Sequence, residues 1–70
     1  MAWKQVESSN LRAIQYDPAG KDLDVQFKNG SVYRYHNVAP TIAKQLETAD
    51  SVGSYFAEYI KNSYECDKLS

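Results

Sequence analysis

Leu23-Asp24-Val25-Gln26-Phe27-Lys28-Asn29-Gly30-Ser31-Val32-Tyr33-Arg34-Tyr35-His36 decides the fold. Leu23, Val25 and Phe27 alternate with Asp24, Gln26 and Lys28, which is the period of a strand with one wet face. Asn29-Gly30 is a hairpin signal, and Ser31 to His36 continues in β-forming residues, so the two segments pair antiparallel. The loop length then decides where the tyrosines point. A two-residue loop, Asn29-Gly30, sets Phe27 opposite Val32 and Val25 opposite Arg34, leaving Tyr33 and Tyr35 as an exposed platform. A three-residue loop, Lys28-Asn29-Gly30, with Gly30 at a left-handed bulge position, sets Val25 opposite Tyr33 and Leu23 opposite Tyr35. The second is favoured, because it puts Arg34 and His36 in water and adds bulk to a small core.

Towards the N-terminus, Asn10 to Tyr16 reads as a preceding strand, and Asp17-Pro18-Ala19-Gly20 as its turn. Ala13 and Ile14 are adjacent apolar residues, so either a bulge interrupts this strand or Ala13 sits on the outer face. Towards the C-terminus, Pro40 suits a first helical turn, and Ile42, Leu46 and Ala49 form one apolar stripe of a helix over 40–50. Asp50-Ser51 offers a break and a fresh cap, and Val52, Phe56, Tyr59 and Ile60 predict a second helix over 52–62. Tyr64 to Ser70 reads as a frayed tail. The expectation is an α+β domain spanning 1–70, a three-stranded antiparallel sheet followed by two helices packed on one face, in the order β-β-β-α-α.

Seventy residues allow one thin core, since a chain of this size buries only roughly 60% of its unfolded surface. Oligomerisation often makes up the shortfall, so a homodimer or higher homo-oligomer is expected. The composition, 43% hydrophobic and 24% charged, is that of a folded globular chain. No apolar run is long enough to span a bilayer and no signal-peptide core is visible, which leads to the expectation of a cytoplasmic protein without a membrane partner. Cys66 is the one cysteine, so an internal disulfide and a cysteine-based metal cluster are excluded. The net charge of −1 and pI near 5.7 speak against a phosphate-gripping polymer binder, whose domain pI usually exceeds about 9. A small anionic ligand remains compatible with a local basic cluster.

Two stretches carry candidate chemistry. Ser51-Val52-Gly53-Ser54 opens the second helix, where free N–H groups and hydroxyls suit an anion and Lys61 or Arg34 could add charge. The structural alternative makes Ser51 an ordinary cap and Gly53 a close-packing position. Tyr33-Arg34-Tyr35 could stack a base on aromatic rings and pair a phosphate with the guanidinium. The alternative there is half-buried strand tyrosines with Arg34 and His36 solvated. Ser8-Ser9 fits a turn cap, and Tyr55, Tyr59 and Tyr64 fit packing or interface contacts. His36 and Cys66 lie too far apart in the chain for a nucleophilic dyad, and no Walker, Rossmann or zinc signature occurs. Neither catalysis nor a cofactor nor a metal is expected.

Val6-Glu7-Ser8-Ser9-Asn10-Leu11, Ile14-Gln15-Tyr16-Asp17, Phe27-Lys28-Asn29-Gly30, Tyr33-Arg34-Tyr35, Ala49-Asp50-Ser51, Gly53, Tyr55-Phe56 and Ile60-Lys61 together resemble the KTSC domain over nearly the whole chain. That family is named for the C-terminus of certain lysyl-tRNA synthetases and also occurs as a stand-alone protein in bacteria and their viruses. The resemblance implies no settled activity, although RNA binding has been proposed for the family. The chain departs from its pattern at Ala39, where Pro is frequent, and at Ala57, where Asn is frequent. The function expected is a non-catalytic binding module for an RNA element or small nucleotide, with Tyr33, Arg34, Tyr35, Ser51, Gly53, Ser54 and Lys61 as ligand residues. Two alternatives are a homo-oligomer that sequesters a nucleotide signal and a protein-interaction module.

Overall fold

Four strands precede the helices in the computed structural model, which describes residues 3–70. They are β1 (Lys4–Gln5), β2 (Leu11–Asp17), β3 (Asp22–Phe27) and β4 (Val32–Tyr35). Helix α1 (Pro40–Thr48) follows, then α2 (Val52–Tyr55), which runs into a π-helical turn over Phe56–Ile60. Strand β5 (Cys66–Lys68) then pairs with β4. The sheet has the order β1-β2-β3-β4-β5, and every neighbouring pair is antiparallel.

The expected three-stranded sheet followed by two helices is therefore corrected to five strands, with the helices inserted before the last one. The α+β class stands. Both added strands are edges with no apolar alternation, and their residues are exposed. Backbone bonding holds them instead. The segment read as a frayed tail gives its Glu65 carbonyl to the His36 N–H (2.9 Å), and Leu69 N–H donates to the Val32 carbonyl (2.7 Å). At the other edge, Val6 N–H donates to Arg12 O (3.1 Å), and Lys4 makes an ion pair with Glu47 of α1.

The β3–β4 connection is the three-residue loop Lys28-Asn29-Gly30. Phe27 N–H donates to Ser31 O (2.8 Å), Gly30 N–H to Phe27 O (3.0 Å), and Ser31 N–H to the Asn29 side chain (2.9 Å). Gly30 has φ +95°, a value glycine adopts without strain. Val25 accordingly faces Tyr33 and Leu23 faces Tyr35, so both tyrosines lie on the face that carries the core. In β2 both readings of Ala13-Ile14 hold together. The register slips between Leu11 and Ala13, leaving Arg12 as the extra residue. That bulge lets Leu11 and Ile14, three apart, share the inner face while Ala13 pairs with Gln26 on the outer one.

The helices cover the inner face. Ala43 and Leu46 of α1, then Val52, Phe56 and Ile60, pack on Leu11, Ile14, Leu23, Val25 and Tyr35. The second helix is regular only to Tyr55, after which Lys61 N–H reaches back five residues to Phe56 O (2.9 Å). Val38, in the connection to α1, is fully buried and its carbonyl accepts from the Tyr16 hydroxyl.

Two proline substitutions separate these features. Ala39 already has φ −65° and ψ 146°, so Ala39→Pro should stabilise by about 0.4–1 kcal/mol, read as a raised melting temperature. Leu69→Pro removes the donor to Val32 O, so hydrogen exchange should speed up at the Val32 and His36 amides while the β2–β3 amides keep their protection. Unchanged exchange at Val32 and His36 would show that β5 is not held by these bonds.

Candidate functional site

The β3–β4 loop and the π turn leave a groove between them on the helix-covered side of the sheet. It has two adjoining lobes, of about 440 Å³ and about 390 Å³. Phe27, Asn29, Phe56 and Lys61 border both lobes. Ser9, Asn10, Leu11, Lys28, Gly53 and Ala57 complete the first, and Ser31, Tyr33, Tyr35, Asn62 and Cys66 the second. The floor is a run of edge-to-face rings. Phe27 meets Tyr33 at 5.7 Å and Phe56 at 5.6 Å between centroids, and Phe56 meets Tyr35 at 5.4 Å. Each such pair contributes about 0.5–1.5 kcal/mol beyond its buried area, so the floor is stiff. Burial, helped by neighbouring Cys66, pushes the Tyr35 hydroxyl up to about 12, which keeps it neutral.

Charge is sorted around this groove. The chain carries nine Asp and Glu, yet among the described residues no acid borders either lobe, and the two ionic residues there are Lys28 and Lys61. Neither lysine has an ion-pair partner among the described residues. The carboxylates of β3 lie on the opposite, outer face. Asp24 is only 5% exposed and takes Arg34 as a fork, Nε to Oδ1 at 2.8 Å and Nη2 to Oδ2 at 3.1 Å, with Gln15 Nε2 adding a bond at 2.9 Å. Burial by itself raises the Asp24 carboxyl, but the bonds from Arg34 and Gln15 outweigh it and hold the group below its ordinary 3.8. His36 stands beside it with Nε2 2.8 Å from Asp67 and Nδ1 3.2 Å from Asp22. A neutral imidazole can donate to only one of them, whereas the imidazolium donates to both. Asp67, then Asp22, accordingly raise the ring above its ordinary 6.5.

The seven residues singled out from the sequence do not converge. Tyr33, Tyr35, Gly53 and Lys61 border the groove. Arg34 lies on the outer face opposite Asp24, as alternation along β4 requires once its neighbours point inward. Ser51 caps α2: its hydroxyl accepts from Ser54 N–H (3.3 Å) and donates to the Ser54 hydroxyl (3.0 Å). Gly53 is a packing position. A Cβ added there would stand 2.5 Å from Ser8 Oγ, which is itself engaged by the Asn10 and Leu11 N–H groups at 3.2 and 3.3 Å. Lys28, Asn29, Asn10 and Asn62 were not anticipated. For Lys28 and Asn29 the signal was available, because a three-residue loop beside Phe27 puts both at the rim of the aromatic floor.

The KTSC domain profile matches residues 7–64, and the chain belongs to the KTSC domain family. It is 36% identical over 64 residues to a lysine–tRNA ligase of Nostoc, an alignment covering 91% of this chain and 11% of that enzyme. The chain therefore spans about a tenth of the length of the ligases it matches. It is also 41% identical to an uncharacterized protein of Stutzerimonas stutzeri, covering 80% of this chain and 79% of that one. The crystal structure of a KTSC domain protein from Yersinia pestis superposes with a TM-score of 0.92 at 31% identity, covering 99% and 97% of the two chains. Ala57, where the resemblance implied a frequent Asn, borders the first lobe.

The outer-face ion pairs give stability a pH optimum. Asp24, with its folded value depressed, contributes fully above 3.8, and its contribution is lost as pH falls through the lower folded value. His36, with its folded value raised, contributes fully below 6.5, and its contribution is lost as pH rises through the higher folded value. The melting temperature should peak between these limits, with Asp24→Asn flattening the acid limb and His36→Gln the alkaline limb. Unaltered limbs in both variants would assign the pH dependence to other groups.

Proposed function

We propose that this chain is a non-catalytic binding module for a nucleotide-type ligand, held in the groove between the β3–β4 loop and the π turn. The observation that carries the reading is the charge sorting: on a chain of net charge −1, the aromatic-floored groove is bordered by two lysines and by no acid. An anionic group is attracted there, whereas the cations of the outer face, Arg34 and His36, are already held by carboxylates. Lys61 and Lys28 would meet phosphate, the half-buried Tyr33 ring would stack on a base, and the Asn29 and Asn62 amides would meet base or sugar edges. Support also comes from the relatives named lysine–tRNA ligase, whose name joins this domain to an RNA substrate. Arg34, committed to Asp24, has no part in this reading, nor do Ser51 and Ser54, which spend their hydroxyls on each other. The reading includes a cytoplasmic location, where nucleotides and RNA are abundant.

Titration of the isotope-labelled protein with short single-stranded RNA, followed by amide shifts, should move Lys28, Asn29, Gly53, Ala57 and Lys61. Lys61→Ala should weaken binding and lower the salt slope by about one counter-ion. Arg34→Lys should leave affinity unchanged. Shifts centred on Asp24 and Arg34 would place the ligand on the wrong face for this account.

A further inference from the structure

We infer, resting on the nucleotide reading above, that the preferred ligand is a two-base unit joined by one phosphodiester, with a base in each lobe and the phosphate at Lys61. The groove is double, and its halves are alike in scale, about 440 Å³ and about 390 Å³. Either falls within the range of about 300–1,000 Å³ usual for small-molecule sites. Among the described residues Lys61 is the one cation that borders both lobes, so it can reach a phosphate that joins a base in one to a base in the other. The half-buried Phe27 and the buried Phe56 border both lobes as well, so the two share an aromatic floor. Tyr33 gives the second lobe a ring of its own.

The charges limit the ligand from both sides. A mononucleotide would fill one lobe and leave the other to water. A polyphosphate chain would bring more negative charge than Lys28 and Lys61 can meet. A long strand gripped through many phosphates would need a basic track beyond the groove. On the outer face Arg34 and His36 are engaged by Asp24, Asp22 and Asp67 and do not extend the groove's pair of lysines into such a track.

Calorimetric titration with 5′-AMP, the dinucleotide ApA and octa-adenylate tests this on the full chain. ApA should bind about tenfold or more tightly than 5′-AMP, the gain expected from one further stacked base. Its salt dependence should be shallow, with a slope near −0.7, as for one phosphate contact on a single strand. Tyr33→Leu, which keeps apolar bulk beside Phe27, should remove the advantage of ApA. Asn62→Asp, at an exposed rim position, should weaken ApA by placing a negative charge in the second lobe, and it gives the same test should the Tyr33 variant lose its fold. Octa-adenylate separates the two sources of this chemistry. Once divided by the seven overlapping two-base frames of octa-adenylate, an affinity no higher than that of ApA assigns a free dinucleotide, and a several-fold higher one with an unchanged slope assigns a single strand of RNA. Equal affinity for 5′-AMP and ApA, or a slope of several counter-ions, would overturn the two-base inference while leaving the nucleotide reading intact. No binding of any of the three would overturn both.

Discussion

The register of the β3–β4 hairpin is the constraint on which the rest of the structure depends. A side-chain period of two means that a slip of one residue would exchange the two faces of β4. Gly30, at φ +95°, closes the three-residue loop that prevents it. With Val25 opposite Tyr33 and Leu23 opposite Tyr35, the tyrosines join Phe27 and Phe56 in one aromatic layer. Arg34 and His36 then necessarily meet the carboxylates of Asp24, Asp22 and Asp67 on the other side. One loop thus sorts rings from charges.

That sorting prepares the groove. A nearly neutral chain can present a local anion site only by keeping its acids elsewhere, and here the alternation of β3 does so: Asp22, Asp24 and Gln26 face out while Leu23, Val25 and Phe27 face in. The π turn contributes from the other side. Its widened backbone bond joins Phe56 and Lys61, so a floor ring and a rim cation are positioned by the same turn. Such turns recur where a helix is modified for function. Strand β5 completes the second lobe through Cys66, and Asp67, one residue on, ties the strand to His36 on the outer face.

Much of this was legible in the residues. Alternation through Leu23, Val25 and Phe27, the Asn29-Gly30 signal and the need for core volume were enough to choose the loop and hence the register. The adjacent pair Ala13-Ile14 called for either a bulge or an outward Ala13, and the bulge at Arg12 supplies both. Strands β1 and β5 were not legible, because edge strands held by backbone bonds carry no hydrophobic period, and Cys66-Asp67-Lys68 reads like any polar segment. The π turn was not legible either, since Val52, Phe56 and Ile60 keep an ordinary helical spacing across it. Joining Arg34 to Tyr33 and Tyr35 in one site was an inconsistency already visible in the sequence. The register that turned the rings inward had placed the guanidinium on the opposite face.

The register can be tested directly by nuclear Overhauser contacts across the hairpin. Phe27 N–H donates to Ser31 O, so alternation of the ladder makes Gln26–Val32 and Asp24–Arg34 the closely spaced, non-hydrogen-bonded pairs. Strong Hα–Hα cross-peaks at those two pairs are the predicted result. Cross-peaks pairing Arg34 with Val25 would put the tyrosines on the solvent face and contradict the separation of aromatic groove and charged surface.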